Sequence, residues 1–362
     1  MSEIIHVISS LSRGGRERQL ATIVANTNRK QYPSRIVYFN KLENSYIDEY
    51  GLTNVSIQVK SKGKWHRLLE LNQILKKEKP DVVYTWGNGE SLSILVLRSF
   101  YKFKFKFING SVRHGIRSRK FPHYFRTVIL HLSPYIVANS YAGLKANNLR
   151  RGFVLYNGID PKFIGKLHVN EKAILRAPLV PQAIDKLLFI SVANLVPYKD
   201  YFSILKALKE LKENGQSFYY LILGDGPMRE KIEALIQQFN LVKNIEIIGN
   251  VENVDKYLKI SDFFLHSSKG EGISNAILEA MYAGLPIIAT NVGGVPETVW
   301  PGSSALFEYK NDKQLLNILL NLDKHFGQFD KYDPDYLAHL QKFSVETMIK
   351  KFEEIIEQVM NG

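Results

Sequence analysis

The feature that most constrains the fold is a repeated alternation of short apolar runs with helical patterns. Runs such as Glu3–Ser10 and Asp81–Thr85 alternate with amphipathic stretches such as Arg16–Lys30 and His66–Lys79, and the alternation starts again at Leu187–Ala193. Short apolar runs joined by helices predict parallel sheets with helices on both faces. We therefore expect an α/β fold with two tandem Rossmann-like, doubly wound parallel-sheet domains that face each other across a cleft.

The predicted domain boundaries follow the same alternation. We expect a basic N-terminal domain over 1–165, a linker over 166–184 and a second domain over 185–344. The segment 345–362 has a helical pattern, and we expect it to pack back toward the N-terminal domain. A chain of 362 residues fits two domains better than one core.

The composition and the residue spacing exclude several kinds of site. The chain has no cysteine, so disulfide frameworks and thiolate metal sites are excluded. No His, Asp or Glu cluster has the spacing of metal ligands, so we expect no metal and no resident cofactor. No run approaches the roughly 20 apolar residues that cross a bilayer, and no signal peptide precedes the first strand. We therefore expect a cytoplasmic protein.

The net charge of +13 is unevenly distributed. Residues 1–165 contain 27 basic and 10 acidic residues, a net charge of +17, whereas 166–362 contain 21 and 25, a net charge of −4. The stretch from Arg98 to Arg126 holds nine basic and eight aromatic residues and no acidic one. An anionic membrane surface selects this pattern, and so does single-stranded nucleic acid. Within it, Tyr101–Phe107 reads YKFKFKF, which we interpret as an edge strand with lysines on one face.

Two loop–helix junctions have the chemistry of a diphosphate site. Gly14 and Gly15 follow the first strand, where backbone amides and a helix N-terminus favour an anion. In 262–297 a strand ends at His266, and a helix is predicted to begin near Ile273.

Two carboxylates flank the second of these helix starts. Glu271 lies at the entry and Glu279 two turns further on. The amides of Gly272, Ile273 and Ser274 would point at the ligand in the cleft, where they and the helix dipole favour an anion. Carboxylates accept hydrogen bonds from sugar hydroxyls, so the pattern suits a ligand with sugars on either side of phosphate. A helix cap and a solvated surface charge fit the same spacing.

Six segments together resemble glycosyltransferase family 4. They are GGRERQLA at 14–21, NGID at 157–160, VANLVPYKD at 192–200, GDGPMR at 224–229, GNV at 249–251 and EGISNAILEAMYAGLPIIAT at 271–290. The family consists of retaining, nucleotide-sugar-dependent enzymes with the two-domain B-type glycosyltransferase fold. The resemblance implies transfer of a hexosyl group from a UDP- or GDP-sugar to a hydroxyl of a glycan or lipid-linked saccharide, as in synthesis of cell-envelope polysaccharide, lipopolysaccharide or capsule. Peripheral contact with the inner face of the plasma membrane would fit such an acceptor.

The resemblance also implies roles for matching residues. Glu271 corresponds to the carboxylate beside the donor sugar, His114 to a histidine near sugar and acceptor, and Lys199 to the cation that neutralises the diphosphate. These three are the predicted catalytic residues. The predicted donor-binding residues are Gly14, Gly15, Asn194, Lys199, Gly249, Asn250, Val251, Gly272, Ile273, Ser274, Asn275 and Glu279.

The resemblance gives two of these positions a more specific role, and a third departs from the family pattern. Glu279 corresponds to the ligand of the ribose hydroxyls, and the Gly249–Val251 loop to the one that holds the base edge. Asn194 departs from the family pattern, since members usually carry an arginine there, and it brings no charge to the diphosphate. Two other interpretations remain open: a nucleic-acid-binding protein that uses the basic domain, and a catalytically weakened nucleotide-sugar-binding subunit.

Overall fold

The computed structural model describes residues 2–12, 14–40, 45–113, 121–159 and 169–362. It divides into two compact units. Unit 1 comprises Met1–Gly158 together with Ser344–Gly362, and unit 2 comprises Ile159–Phe343.

Unit 1 is built on a parallel sheet. Its strands are β1 (Ile4–Ser10), β2 (Ser34–Asn40), β3 (Ser56–Gln58), β4 (Val82–Thr85), β5 (Lys106–Val112), β6 (Tyr135–Ala138) and β7 (Phe153–Val154). Over the described residues they form one seven-stranded sheet in the order β3-β2-β1-β4-β5-β6-β7. The strand order reverses between β1 and β4, and doubly wound sheets bind their ligands at the carboxyl edge beside such a reversal.

Helices cover both faces of this sheet. They are α1 (Gly15–Asn26), α2 (Tyr46–Glu49), α3 (Lys64–Glu78), α4 (Asn88–Phe100), α5 (Phe121–Leu132) and α6 (Tyr141–Ala146). Alternate residues of β1 enter different cores: Ile4 and Ile8 join one apolar cluster, and Ile5 and Val7 join another. This alternation is the reason both faces of the strand are apolar at these positions.

Unit 2 has a second parallel sheet. Its strands are β8 (Leu187–Val192), β9 (Phe218–Leu223), β10 (Ile245–Gly249), β11 (Phe263–His266), β12 (Ile287–Thr290) and β13 (Ser304–Phe307). The order is β10-β9-β8-β11-β12-β13, with a reversal between β8 and β11. The prediction of two doubly wound parallel sheets is confirmed.

The helices of unit 2 complete this second layer structure. They are α7 (Val169–Leu179), α8 (Tyr201–Glu213), α9 (Arg229–Gln238), α10 (Val254–Ile260), α11 (Asn275–Tyr282), α12 (Val295–Thr298), α13 (Asp312–Leu320), α14 (Leu322–Phe326) and α15 (Pro334–Gln341). A last helix, α16 (Val345–Asn361), follows them in the chain but belongs to unit 1. Its Phe352 and Ile355 are fully buried in the core that contains Ile4 and Ile8.

The structure departs from the sequence-based expectations at two places. The edge-strand interpretation of Tyr101–Phe107 is wrong, because β5 begins only at Lys106 and lies between β4 and β6. Part of the expected linker 166–184 is helical, since α7 runs over Val169–Leu179. Arg176 of α7 donates hydrogen bonds to the Ile260 carbonyl and to both carboxylate oxygens of Asp262, and these bonds tie the helix to unit 2.

Candidate functional site

Three ionisable side chains meet at the carboxyl edge of the sheet in unit 2. Glu271 lies in the loop between β11 and α11, and its Oε1 forms an ion pair with Lys199 Nζ. His266 ends β11, and its Nε2 lies 3.2 Å from both Lys199 Nζ and Glu271 Oε1. The side chains are shielded from solvent, with exposed fractions of 11% for Lys199, 16% for Glu271 and 2% for His266. The structure therefore brings together the two predicted catalytic residues of unit 2.

Backbone hydrogen bonds hold the two loops of this cluster together. Lys199 forms a β-bridge with Ser268. On either side of the bridge, the Asp200 amide donates to the Ser267 carbonyl at 3.1 Å and the Lys269 amide donates to the Tyr198 carbonyl at 2.9 Å. The Lys199 and Glu271 loops consequently form one short two-stranded ribbon, which fixes the ion pair.

The end of β12 supports the Glu271 loop from the other side. Thr290 Oγ1 accepts from the Ser268 amide and donates to the Ser268 carbonyl, both at 3.0 Å. The Gly294 amide donates to the Glu271 carbonyl at 3.0 Å. Gly293 has a φ of +54°, and a Cβ there would overlap the Glu271 carbonyl oxygen, so only glycine fits.

The cluster keeps Glu271 ionised and His266 neutral. Burial opposes ionisation of Glu271, but the charge of Lys199 and the hydrogen bonds from His266 and Lys199 outweigh it and hold the pKa of Glu271 well below its ordinary value. Burial and the Lys199 charge lower the pKa of His266, against the opposing effect of Glu271. The site therefore presents an ammonium and a carboxylate next to an uncharged imidazole.

The predicted donor-binding residues after Glu271 lie at the start of α11. The helix begins at Asn275 with Ser274 at the N-cap, two residues later than the sequence indicates. Gly272, Ile273 and Ser274 are buried, whereas Asn275 and Glu279 are half-buried.

The remaining predicted residues of unit 2 lie on loops that follow β8 and β10. Asn194 is exposed, and the next residue, Leu195, donates through its amide to the Asp225 carbonyl at 3.0 Å. The Gly224 amide donates to the Gly249 carbonyl at 2.8 Å. Asn250 is exposed and Val251 is half-buried. The loops after β8, β9 and β10 are thus joined at the same sheet edge.

The predicted residues of unit 1 are only partly described. Gly14 is the N-cap of α1 and Gly15 is its first residue. A side chain at position 14 would meet only the tip of the Glu17 carboxylate, so the fold itself places a weak demand for glycine there. His114 lies outside the described residues, as does Asp160 of the NGID segment.

Sequence reasoning missed three residues that support the ion pair: His266, Thr290 and Gly293. Two of them end parallel strands, and carboxyl ends of parallel strands share one sheet edge. This shared sheet edge is the feature by which the sequence indicates His266 and Thr290. Gly293 becomes necessary only through contact with the Glu271 backbone.

A candidate metal cluster and a membrane-spanning helix are both absent from the residues that the structure describes. Within 2–12, 14–40, 45–113, 121–159 and 169–362, no three His, Asp or Glu side chains are grouped so that they could hold a metal ion. In the same ranges, no helix has the length and apolar character needed to span a membrane.

The segment that contains the site is similar to known glycosyltransferases. The family described as Glycosyl transferases group 1 matches residues 180–322, which include β8 to β13 and the Lys199–Glu271 pair. The amylovoran biosynthesis glycosyltransferase AmsK of Erwinia amylovora is 29% identical over 215 residues, which are 56% of this chain and 49% of AmsK. The uncharacterized glycosyltransferase MJ1059 of Methanocaldococcus jannaschii is 26% identical over 250 residues, 64% of this chain and 61% of that protein. The chain spans about half the length of the curated relatives it matches.

The fold of the whole chain has a solved counterpart. The crystal structure of Anabaena HepE in complex with UDP matches with a TM-score of 0.80 and 16% identity, covering 99% of this chain and 100% of HepE. HepE has also been solved with UDP-glucose. The two units therefore have the B-type glycosyltransferase fold. The segment 180–322, which contains Lys199 and Glu271, is similar to the group 1 glycosyltransferases.

Proposed function

We propose that the chain is a retaining glycosyltransferase that moves a hexosyl group from a UDP- or GDP-sugar to a hydroxyl of a saccharide or lipid-linked acceptor in polysaccharide synthesis. The observation that carries the proposal is the Lys199–Glu271 pair, fixed by His266 at the carboxyl edge of β11. The UDP and UDP-glucose bound by HepE, and the polysaccharide synthesis named for AmsK, support it.

Each predicted site residue of unit 2 has a role in this proposal. Lys199 neutralises the diphosphate, whose charge grows as the glycosidic bond breaks. The buried amides at Gly272, Ile273 and Ser274 add donors at the start of α11. Glu271 binds the donor sugar, and Glu279 accepts hydrogen bonds from the ribose hydroxyls. The loop containing Gly249, Asn250 and Val251 contacts the base, and Asn194 donates to the diphosphate.

We infer a front-face displacement for the chemical step. The bond between the anomeric carbon and the diphosphate oxygen breaks while the acceptor oxygen attacks from the same face. The acceptor proton passes to the departing diphosphate oxygen, so no protein nucleophile is needed and configuration is retained. His114 would lie near the reacting sugar, and Gly14 and Gly15 near the diphosphate. The step requires no metal ion and no further cofactor, because Lys199 and backbone amides supply the positive charge.

We propose that unit 1 binds the acceptor at the inner face of the plasma membrane, as a peripheral membrane protein does. Trp65, Phe100 and Leu132 are exposed on α3, α4 and α5, with 75%, 79% and 64% of their surfaces open to solvent. Lys64 and Arg67 lie close to Trp65 in sequence, and Arg98 and Lys102 lie close to Phe100. Residues 1–165, which contain all three exposed side chains, carry a net charge of +17. Exposed aromatics with basic neighbours bind anionic lipid surfaces.

Nucleotide binding tests the donor half of the proposal. UDP or GDP should raise the thermal unfolding temperature of the full chain, because a ligand at 100 times its Kd adds about 2.7 kcal/mol of stability. Glu279→Gln should weaken the binding by about tenfold, since hydrogen bonds to a charged group contribute about 1.5–3 kcal/mol. Glu230→Gln removes an exposed carboxylate from α9 and serves as the matched control. Stabilisation by neither nucleotide would contradict the proposal, and binding without turnover would identify a nucleotide-sugar-binding subunit instead.

A further inference from the structure

Arg113, directly after β5 in unit 1, is held in place on three sides. Its Nε donates to the Gly110 carbonyl at 3.2 Å, and its Nη1 lies 3.4 Å from Asn157 Oδ1. The guanidinium carbon lies 4.4 Å from the ring centroid of Trp86, which directly follows β4. The side chain is thus half-buried and preorganised.

Arg113 has no ion-pair partner among the residues that the structure describes. Burial lowers the pKa of Arg113, and the positive charge of Arg16 acts in the same direction, while Tyr84 and Glu17 oppose them. A partly desolvated cation without a counter-ion costs stability, so a fold that retains one has a place for an anion.

A second guanidinium lies at the same sheet edge. Arg16 Nη1 donates to the Trp86 carbonyl at 3.3 Å, and Arg16 Nη2 donates to Ser9 Oγ at 3.2 Å. Arg16 also forms an ion pair with Glu17 at 2.6 Å. Arg16, Arg113 and Glu17 together leave one positive charge in excess, located at the carboxyl ends of β1, β4 and β5, where such sheets bind ligands.

We propose that Arg113, supported by Arg16 and Asn157, binds a phosphate or carboxylate group of the acceptor substrate. This assignment rests on the proposed glycosyltransferase function and adds to it the substrate class: a phosphorylated or acidic saccharide. A planar guanidinium held from behind by an aromatic ring presents its remaining donors to an oxyanion in bidentate geometry. The donor-binding loops around Lys199 belong to unit 2, whereas this cluster belongs to unit 1.

The test measures binding of inorganic phosphate to the full chain in the presence of saturating UDP. Phosphate should raise the unfolding temperature of the wild type more than chloride does at equal ionic strength. Arg113→Gln should weaken phosphate binding by at least tenfold and leave UDP affinity unchanged. The matched control is Arg98→Gln, because Arg98 is an exposed arginine whose guanidinium lies 6.0 Å from the Phe105 ring centroid. Its phosphate binding should equal that of the wild type.

The unfolding temperature without phosphate separates a ligand-binding role from a structural one. Arg113→Gln removes a charge that forms no ion pair with any described residue, so the variant should melt at the wild-type temperature or above it. Arg113→Lys keeps the charge but loses the bidentate geometry, so it should fold and bind phosphate more weakly than the wild type.

Three results would contradict the anion site, the acceptor assignment or the glycosyltransferase function, respectively. Phosphate binding unchanged in Arg113→Gln and Arg113→Lys would overturn the anion site. Equal losses of UDP and phosphate affinity in Arg113→Gln would assign Arg113 to the donor diphosphate and overturn the acceptor assignment. A chain that binds phosphate through Arg113 but binds no nucleotide would contradict the glycosyltransferase proposal and leave the anion site standing.

Discussion

The buried imidazole of His266 connects the two charged groups of the site. Its Nε2 is 3.2 Å from Glu271 Oε1 and from Lys199 Nζ, and its pKa is lowered by burial and by Lys199. A neutral ring with its proton on Nε2 donates to Glu271 and leaves the carboxylate charged. In the proposed reaction His266 is a positioning residue, because it would act on the donor sugar only through Glu271.

Replacing His266 should reduce turnover more than binding. His266→Leu removes one hydrogen bond to Glu271, and about 1.4 kcal/mol of lost positioning corresponds to a tenfold fall in kcat. The KM for the nucleotide sugar should change much less, and His266→Asn, which can still donate, should recover part of the rate. His131→Leu, an exposed histidine of α5, is the control. Equal rates for His266→Leu and the wild type would show that the imidazole does not position Glu271.

Among the secondary-structure elements, α16 shows most clearly how a helix is stabilised by packing one apolar face into a core. Met348, Phe352, Ile355, Ile356 and Val359 lie on one face of the helix and are buried in the core of unit 1. Glu357 Oε1 accepts a hydrogen bond from Tyr32 at 2.6 Å, which links the polar flank of the helix to the same unit. The helix is consequently needed for the stability of the N-terminal sheet.

Truncation of one buried side chain on α16 tests this dependence. Phe352 is 0% exposed, and Phe352→Ala should lower the free energy of unfolding of unit 1 by about 3–5 kcal/mol. Urea denaturation followed by fluorescence of Trp86 would measure it. Lys350→Ala, at an exposed position of the same helix, should change stability by less than about 0.5 kcal/mol. Equal stability of the two variants would mean that α16 does not belong to the core.

The sequence predicts most strands because their burial is local information. Buried strands such as β1 and β9 are rich in apolar residues, so the local sequence indicates their positions. The strand β13 was not predicted, since its four residues SALF carry little signal and it forms only by pairing with β12. In α7, Arg176 and its bonds to Ile260 and Asp262 are contacts that residue spacing does not reveal.

The sequence motifs predict only some of the residues that form the site. The loop–helix pattern singles out Glu271, the family resemblance adds Lys199, and the structure pairs the two residues. The contacts that fix the pair come from His266, Thr290 and Gly293, which lie on different strand ends and loops. Nothing in a single sequence states which strand ends become neighbours, so these supports emerge only from the sheet order β8-β11-β12.

Over the whole molecule, buried histidines make stability depend on pH. His6 is 0% exposed in unit 1, and its Nδ1 accepts a hydrogen bond from Trp86 Nε1 at 3.2 Å. Burial lowers the pKa of His6 from 6.5 to about 3. Between these values the unfolded chain binds a proton that the folded chain does not. The stabilising contribution is therefore complete above pH 6.5 and is lost as pH falls toward 3.

The predicted slope is about 1.4 kcal/mol per pH unit for this one group. Urea denaturation of unit 1 at pH 7, 5 and 4 should show stability falling as the solution becomes more acidic. His6→Asn keeps an acceptor for Trp86 and removes the titrating ring, so its slope should be smaller. The same slope in both proteins would mean that His6 is protonated in the folded state over this range.

The proposed glycosyl transfer depends on the Lys199–Glu271 pair acting on a nucleotide sugar. The most direct measurement is release of nucleoside diphosphate by the purified chain from a panel of UDP- and GDP-sugars, with water or a phosphorylated saccharide as acceptor. Wild type should release it from at least one donor, and Glu271→Gln and Lys199→Met should lower the rate by about a hundredfold or more. Lys269→Met, an exposed lysine of the same loop, should retain the wild-type rate. Release undiminished in Glu271→Gln and Lys199→Met, or absent from the wild type with every donor, would contradict the account.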